Sequence, residues 1–219
     1  MLQTNERREI TLDLKVLSRY VGVYQLSGAG TMVISLENNQ VSGKLANQAA
    51  IPLFPESETT FFAKNVDAQV EFLGIDGRGL ATQVIIHQNN QNVRGTRLDD
   101  IAAKPIADTA TSIEKRIQDN SPTPGSEMVV RRLIEELRSG KPNYDLMSPG
   151  MAATTRQQLS QLQSALKQRG AVRSISFKGV APGGADIYEV IFENGSWEYR
   201  IQLGPDGRVE GTGIRPVDK

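Results

Sequence analysis

The sequence predicts an all-β domain followed by an α+β domain: a small antiparallel β-barrel, then two helices with a four-stranded antiparallel sheet. Two observations carry this prediction. Residues 20–98 alternate apolar and polar side chains, with turn residues every few positions. Residues 126–216 instead open with a helical apolar stripe and then change to strand alternation. We therefore expect a barrel over 1–100, a linker over 101–125 and the α+β domain over 126–219.

The first domain reads as about eight short strands with almost no helix. Paired Asn residues mark two of the turns, at Asn38-Asn39 and at Asn89-Asn90. Pro52 interrupts one short strand, which places that strand at an edge or a rim. Even spacing of short strands favours an up-and-down barrel or a sandwich, and a closed barrel leaves no long exposed edge.

The remaining chain begins with a stretch rich in Ala, Pro, Thr and Ser. This composition predicts a linker, with one helical stretch around 109–119. Ser126 is predicted to cap the next helix, and Ser148-Pro149 to start another. Four strands follow, and Asn194-Gly195 is the strongest short hairpin signal in the chain.

Composition excludes several classes of function. The 219 residues contain no cysteine, so disulfides, thiolate catalysis and sulfur-ligated zinc are excluded. This fits an intracellular protein or an exported bacterial one. The 25 basic residues balance the 25 acidic ones, so no global field favours nucleic acid. No apolar run approaches the ~20 residues that span a bilayer, and residues 1–8 contain no apolar signal core.

The sequence offers little catalytic chemistry, and we predict no cofactor, no metal and no enzyme activity. Ser-x-x-Lys occurs from Ser112 to Lys115 and from Ser164 to Lys167, without the Lys-Thr-Gly or Ser-Asp-Asn partners of β-lactamase-like enzymes. His87 is the single histidine and reads as a half-exposed strand residue rather than a catalytic base.

Aromatic residues suggest a ligand site in the second domain. One interpretation is a core beneath the helices, which we favour because such a sheet must bury one face. The other is a pocket for a small apolar ligand. The candidate ligand-binding residues are Tyr144, Met147, Tyr188, Trp197 and Tyr199.

Two stretches resemble known domains. Tyr20-Val21-Gly22-Val23-Tyr24, Leu53-Phe54-Pro55-Glu56-Ser57 and His87-Gln88-Asn89 resemble the domain of unknown function that lies C-terminal to the catalytic domain of serine β-lactamase-like hydrolases. This resemblance covers roughly residues 10–98 and implies a lipocalin-like barrel. The segment 140–149, with Tyr188 and Trp197, resembles a second C-terminal module of these hydrolases, near the cystatin-like and nuclear-transport-factor-like folds.

These resemblances imply a function without implying catalytic residues. We expect a non-catalytic accessory module that docks on, or regulates, a serine hydrolase domain in cis or in trans. The resemblance also implies a Ser-x-x-Lys domain upstream of Met1, so the chain is either a piece of a longer protein, which we favour, or a gene product that keeps only the accessory parts. The resemblance further implies an extracytoplasmic or periplasmic location.

Overall fold

The computed structural model describes residues 7–28, 30–45 and 48–217; Met1 to Glu6, including most of the segment inspected for a signal core, lie outside this range. The chain divides into two compact units, Met1–Ser112 and Ile113–Lys219.

The first unit is a closed barrel of eight antiparallel strands, as the sequence predicted. Each strand pairs with the next, and β8 pairs with β1 to close the barrel. A one-turn helix, α1 (Leu14–Leu17), precedes the strands. The strands are β1 (Gly22–Leu26), β2 (Gly30–Glu37), β3 (Gln40–Leu45), β4 (Ile51–Pro55), β5 (Thr60–Phe62), β6 (Ala68–Ile75), β7 (Ala81–Gln88) and β8 (Gln91–Arg97).

Aromatic rings fill part of the barrel interior. Tyr20 stacks on Phe72 with ring centroids 4.4 Å apart, and Phe61 meets both rings edge-on at 5.3 and 5.5 Å. Tyr24 lies 5.9 Å from Phe72. Inward side chains of neighbouring strands, such as Ile34, surround these rings and are almost fully buried. The inward face is thus a packed core.

The segment predicted as a linker, 101–125, is helical over most of its length. Helix α2 spans Asp100–Gln118, and Asp99 caps it by accepting a hydrogen bond from the Ala102 amide at 2.8 Å. Alanine is the best helix former, so the composition that resembled a linker also favours a helix.

The second unit packs two helices against one face of an antiparallel sheet with strand order β12-β11-β10-β9. A 3₁₀ turn at Tyr144–Leu146 joins the helices. The helices are α3 (Ser126–Ser139) and α4 (Pro149–Arg169), and the strands are β9 (Val172–Val180), β10 (Asp186–Phe192), β11 (Gly195–Leu203) and β12 (Val209–Val217).

The predicted helix starts differ in outcome. The Ser148 hydroxyl accepts a hydrogen bond from the Met151 amide at 3.3 Å and Pro149 begins α4, as expected. The prediction for Ser126 was wrong, because Gly125 is the N-cap of α3. Ser126 is fully buried, and its hydroxyl lies 2.6 Å from the Tyr188 hydroxyl. No helix in the described part of the chain is long and apolar enough to cross a bilayer.

Candidate functional site

The Tyr-Val-Gly-x-Tyr segment builds the barrel itself. Tyr20 and Tyr24 place their rings in the core. The Tyr20 hydroxyl donates to the Glu58 carbonyl at 2.5 Å, and the Tyr24 hydroxyl donates to the Tyr20 carbonyl at 2.8 Å. Burial raises the pKa of Tyr24 to about 12 and raises that of Tyr20 as well, where the nearby Glu58 carboxylate adds to the effect. Both phenols therefore remain neutral donors.

Arg97, at the end of β8, connects this segment to the rest of the barrel through hydrogen bonds. Its guanidinium donates to the carbonyls of Ala81, Val21 and Arg19 at 2.5, 2.7 and 2.9 Å, and to the Tyr24 hydroxyl at 2.9 Å. We call Arg97 and these four acceptors the Arg97 clamp.

Gly22 leaves the space that the Arg97 clamp needs. A Cβ atom at Gly22 would overlap the Nη1 atom of Arg97. The glycine of the resemblance motif therefore serves close packing rather than ligand binding.

The Leu-Phe-Pro-Glu-Ser segment is a strand followed by a tight turn. Ser57 accepts hydrogen bonds from the amides of Thr59 and Thr60 at 3.3 and 3.0 Å, which shapes the turn between β4 and β5. Glu58 pairs with Arg19 at 2.7 Å. This segment, too, stabilises the barrel.

His87 lies on the outer face of the barrel between two polar neighbours. Its Nδ1 atom lies 2.7 Å from Asn92 Oδ1, and its Nε2 atom lies 3.3 Å from Glu71 Oε2. These contacts join β6, β7 and β8 across the sheet.

These segments stabilise the fold, and one of them also lines a surface groove through Leu53, Phe54 and Pro55. A groove of about 190 Å³ lies beside β4, between the barrel and the chain that precedes it. Leu17, Val41 and Leu53 are its buried base. The other lining residues are Glu9, Ile10, Thr11, Leu12, Leu14, Asn39, Gln40, Phe54 and Pro55.

The outer wall of the groove is the N-terminal strap, which we define as residues 7–13. The Ile10 amide donates to the Pro55 carbonyl at 2.9 Å, so the strap follows β4. Glu9 pairs with Lys64 at 2.7 Å, and the Lys64 ammonium lies 3.6 Å from the centroid of the Phe54 ring. These contacts hold the wall of the groove in place.

Two apolar residues of the groove are open to solvent. Ile10 is 37% exposed and Leu14 is 49% exposed, and both line a groove whose base is apolar but whose rim also carries polar residues such as Gln40. An exposed apolar side chain costs free energy in water, and a pair of such side chains favours contact with another molecule. The described residues that line the groove include no histidine, cysteine or serine.

The predicted ligand residues of the second unit lie mainly in its core. Met147, Tyr188, Trp197 and Tyr199 are each at most 5% exposed, and Tyr144 is half-buried. They share one hydrophobic cluster, whose helix side is contributed by Leu133, Leu166, Leu159 and Leu162. Burial raises the pKa of Tyr188 and of Tyr199. The structure thus places helix leucines in the same cluster as these aromatic rings.

Two polar atoms in this core have no hydrogen-bond partner among the described residues: Thr155 Oγ1 and Trp197 Nε1. Buried polar atoms of this kind usually form a hydrogen bond with a protein group or an ordered water.

The Ser-x-x-Lys serines lie on helix surfaces: Ser112 is exposed on α2 and Ser164 is exposed on α4. Among the described residues, no group of three His, Cys, Asp or Glu is placed to hold a metal ion.

Sequence reasoning missed the groove, the Arg97 clamp and a buried ion pair. Arg116 and Asp186 lie 2.7 Å apart, and Asp186 also accepts from the Thr123 amide at 2.9 Å. Asp186 is a charged residue at a buried position of β10, a strand whose buried positions are otherwise apolar. This break in the alternation is the sequence signal that could have indicated a buried partner.

Comparison with known proteins supports the first resemblance. The family model described as "Domain of unknown function (DUF3471)" matches residues 6–99. Penicillin-binding protein 4* of Bacillus subtilis (strain 168) is 31% identical over 93 residues, which are 42% of this chain and 20% of that relative. The match thus spans about a fifth of the length of the relative. No solved structure matches the chain.

Proposed function

We propose that this protein is a non-catalytic accessory module that docks on a serine β-lactamase-like hydrolase domain through the groove of its barrel. The observation that carries the proposal is the pair of exposed apolar side chains, Ile10 and Leu14, beside a groove with an apolar base. The similarity of the barrel to part of a penicillin-binding protein supports the choice of partner.

Chemistry at the groove supports docking rather than catalysis. The nearby charges are already paired, since Glu9 contacts Lys64. The Gln40 amide donates to the carbonyls of Val41 and Leu53 at 2.8 and 2.9 Å. An apolar side chain from a partner would therefore displace water without leaving these polar groups unpaired.

The test uses the hydrolase portion of the Bacillus subtilis relative, produced without its 93 matched residues. Labelling by fluorescent penicillin would show that this portion is folded. Domains that are normally joined bind at high effective concentration, so the separated pair should bind with a Kd of roughly 10–100 μM. Calorimetry measures the binding, and the labelling rate with and without the chain measures regulation.

Variants locate the contact. Leu14→Asp should weaken binding about tenfold or more, because it places a charge at the apolar contact. Ile75→Asp is the matched control, since Ile75 is 53% exposed but does not line the groove. Absence of both binding and any rate change would remove the proposed function, and an equal loss in both variants would remove the groove as its site.

Small-ligand binding by the aromatic residues of the second unit is the alternative function, and it stays a prediction. The Trp197 Nε1 atom favours it, because this donor has no partner among the described residues and a ligand acceptor could satisfy it. Trp197 is the single tryptophan, so its fluorescence reports directly on this core. Saturable changes on titration with indole or toluene would support the alternative, and linear changes would contradict it.

Two finer predictions also belong to this proposal. The eight-stranded up-and-down order is that of lipocalin-like barrels, which supports a lipocalin-like fold for the first unit. Two helices before an antiparallel meander are compatible with a cystatin-like or nuclear-transport-factor-like second unit. An extracytoplasmic or periplasmic location would follow from the proposed partner, and fractionation of the source cells would test it.

A further inference from the structure

A surface arginine of the second unit stacks on a tyrosine ring, and its N–H groups make no hydrogen bond with the described residues. Arg156 is exposed on α4, and its guanidinium carbon lies 4.2 Å from the centroid of the Tyr144 ring. Stacking of this kind attracts the cation to the face of the ring and limits its rotamers. Among the described residues, the Arg156 side chain makes neither an ion pair nor a hydrogen bond.

Neighbouring contacts fix the ring beneath Arg156. Tyr144 begins the 3₁₀ turn, and the Asn143 side chain caps this turn by accepting from the Asp145 amide at 3.1 Å. The Asn143 amide in turn donates to Glu136 Oε2 at 3.0 Å. Met147, at the other end of the turn, is buried and bridges to Val209. The 3₁₀ turn that carries the Tyr144 ring is therefore bound to both α3 and the sheet.

A carboxylate of this network, Glu136, is already engaged. It contacts Arg132 at 3.5 Å through one oxygen and the backbone amide of Asn143 through the other. Two other arginines of this unit pair with a carboxylate on their own helix, Arg131 with Glu127 and Arg138 with Glu135.

We propose that Arg156 and Tyr144 form a binding site for a single carboxylate group. A stacked guanidinium keeps its edge free, and this edge matches the two oxygens of a carboxylate. The carboxylate comes either from a small molecule or from an acidic side chain or C-terminus of a polypeptide.

The test follows the Arg156 Nε–Hε resonance of the ¹⁵N-labelled full-length chain at constant ionic strength. Benzoate should give a saturable shift with a Kd of roughly 1–10 mM, the range of one charge-assisted contact. Benzamide, which lacks the charge, should give none. A peptide ending in Glu-Glu that binds at least tenfold tighter than benzoate would assign a polypeptide source, and equal or weaker binding a small-molecule source.

Variants separate a built site from a general charge effect. In variants, binding is followed by backbone amide shifts of residues 143–147. Arg156→Lys keeps the charge but loses the planar fork, and it should weaken benzoate binding about fivefold or more. Tyr144→Phe keeps the ring and should bind as well as the parent, whereas Tyr144→Leu should bind weakly. Arg131→Gln, the matched control, should leave binding unchanged. Non-saturable shifts, an equal response to chloride, or unchanged binding in Arg156→Gln would overturn the proposal.

Discussion

Replacing Arg97 by alanine tests the view that the resemblance motif is a structural clamp. The substitution removes four hydrogen bonds, to three carbonyl groups and the Tyr24 hydroxyl, although the Arg19 carbonyl keeps its bond from the Ala81 amide at 3.0 Å. Hydrogen bonds to a charged group contribute about 1.5–3 kcal/mol each. The sum overstates the loss, because the half-buried guanidinium also carries a desolvation cost and water can reach part of the site. We therefore expect a loss of about 3–5 kcal/mol in the free energy of unfolding of the barrel.

A double-mutant cycle with Gly22 sharpens this test. Gly22→Ala forces a methyl group against the Arg97 guanidinium. In the Arg97→Ala background that clash is gone, so Gly22→Ala should cost about 1–3 kcal/mol less than in the parent.

Hydrogen exchange resolved by peptide measures both effects. Because the chain divides into two units, peptides from β1, β7 and β8 report on the barrel alone. Arg94→Ala is the matched control, since Arg94 is exposed on the same strand, and it should change stability by less than about 0.5 kcal/mol. A cost below about 1 kcal/mol for Arg97→Ala, or additive effects with Gly22→Ala, would refute the clamp.

Three further changes have defined outcomes. Asp186→Asn should destabilise the second unit by about 3 kcal/mol, because it leaves the Arg116 charge without its buried partner, and denaturant unfolding followed by Trp197 fluorescence checks this. The pKa of Tyr24 is raised from 10.0 to about 12, so the neutral Tyr24 phenol stabilises the folded barrel fully below pH 10, and this stabilisation is lost as the pH rises to about 12. Absorbance at 295 nm should show that Tyr24 ionises only near pH 12, and ionisation near pH 10 would contradict its burial. Thr155→Val should stabilise the second unit by about 0.5–1 kcal/mol, because it removes a buried hydroxyl that has no partner among the described residues. Thermal melting measures the effect, and a lower melting temperature would show that the hydroxyl does have a partner.

Local pattern predicted the strands and several turns. Asn38-Asn39 and Asn89-Asn90 adopt positive φ angles at all four residues, as tight hairpins between antiparallel strands require. The hairpin signal Asn194-Gly195 was correct in kind, although Gly195 pairs with Phe192, so the two loop residues are Glu193 and Asn194. Gly195 has a φ of 106°, and the Arg169 guanidinium lies where its Cβ atom would be, a contact outside the local pattern.

The sequence by itself determined the order of the strands and of helices α3 and α4, since side-chain alternation and helical periodicity are properties of neighbouring residues. Only the tertiary structure decided which polar residues serve the core and which surface stays open. Arg97 meets Arg19 across 78 positions, and Arg116 meets Asp186 across 70. No local pattern encodes such distances, and the open groove beside β4 exists only once the strap lies along the closed barrel.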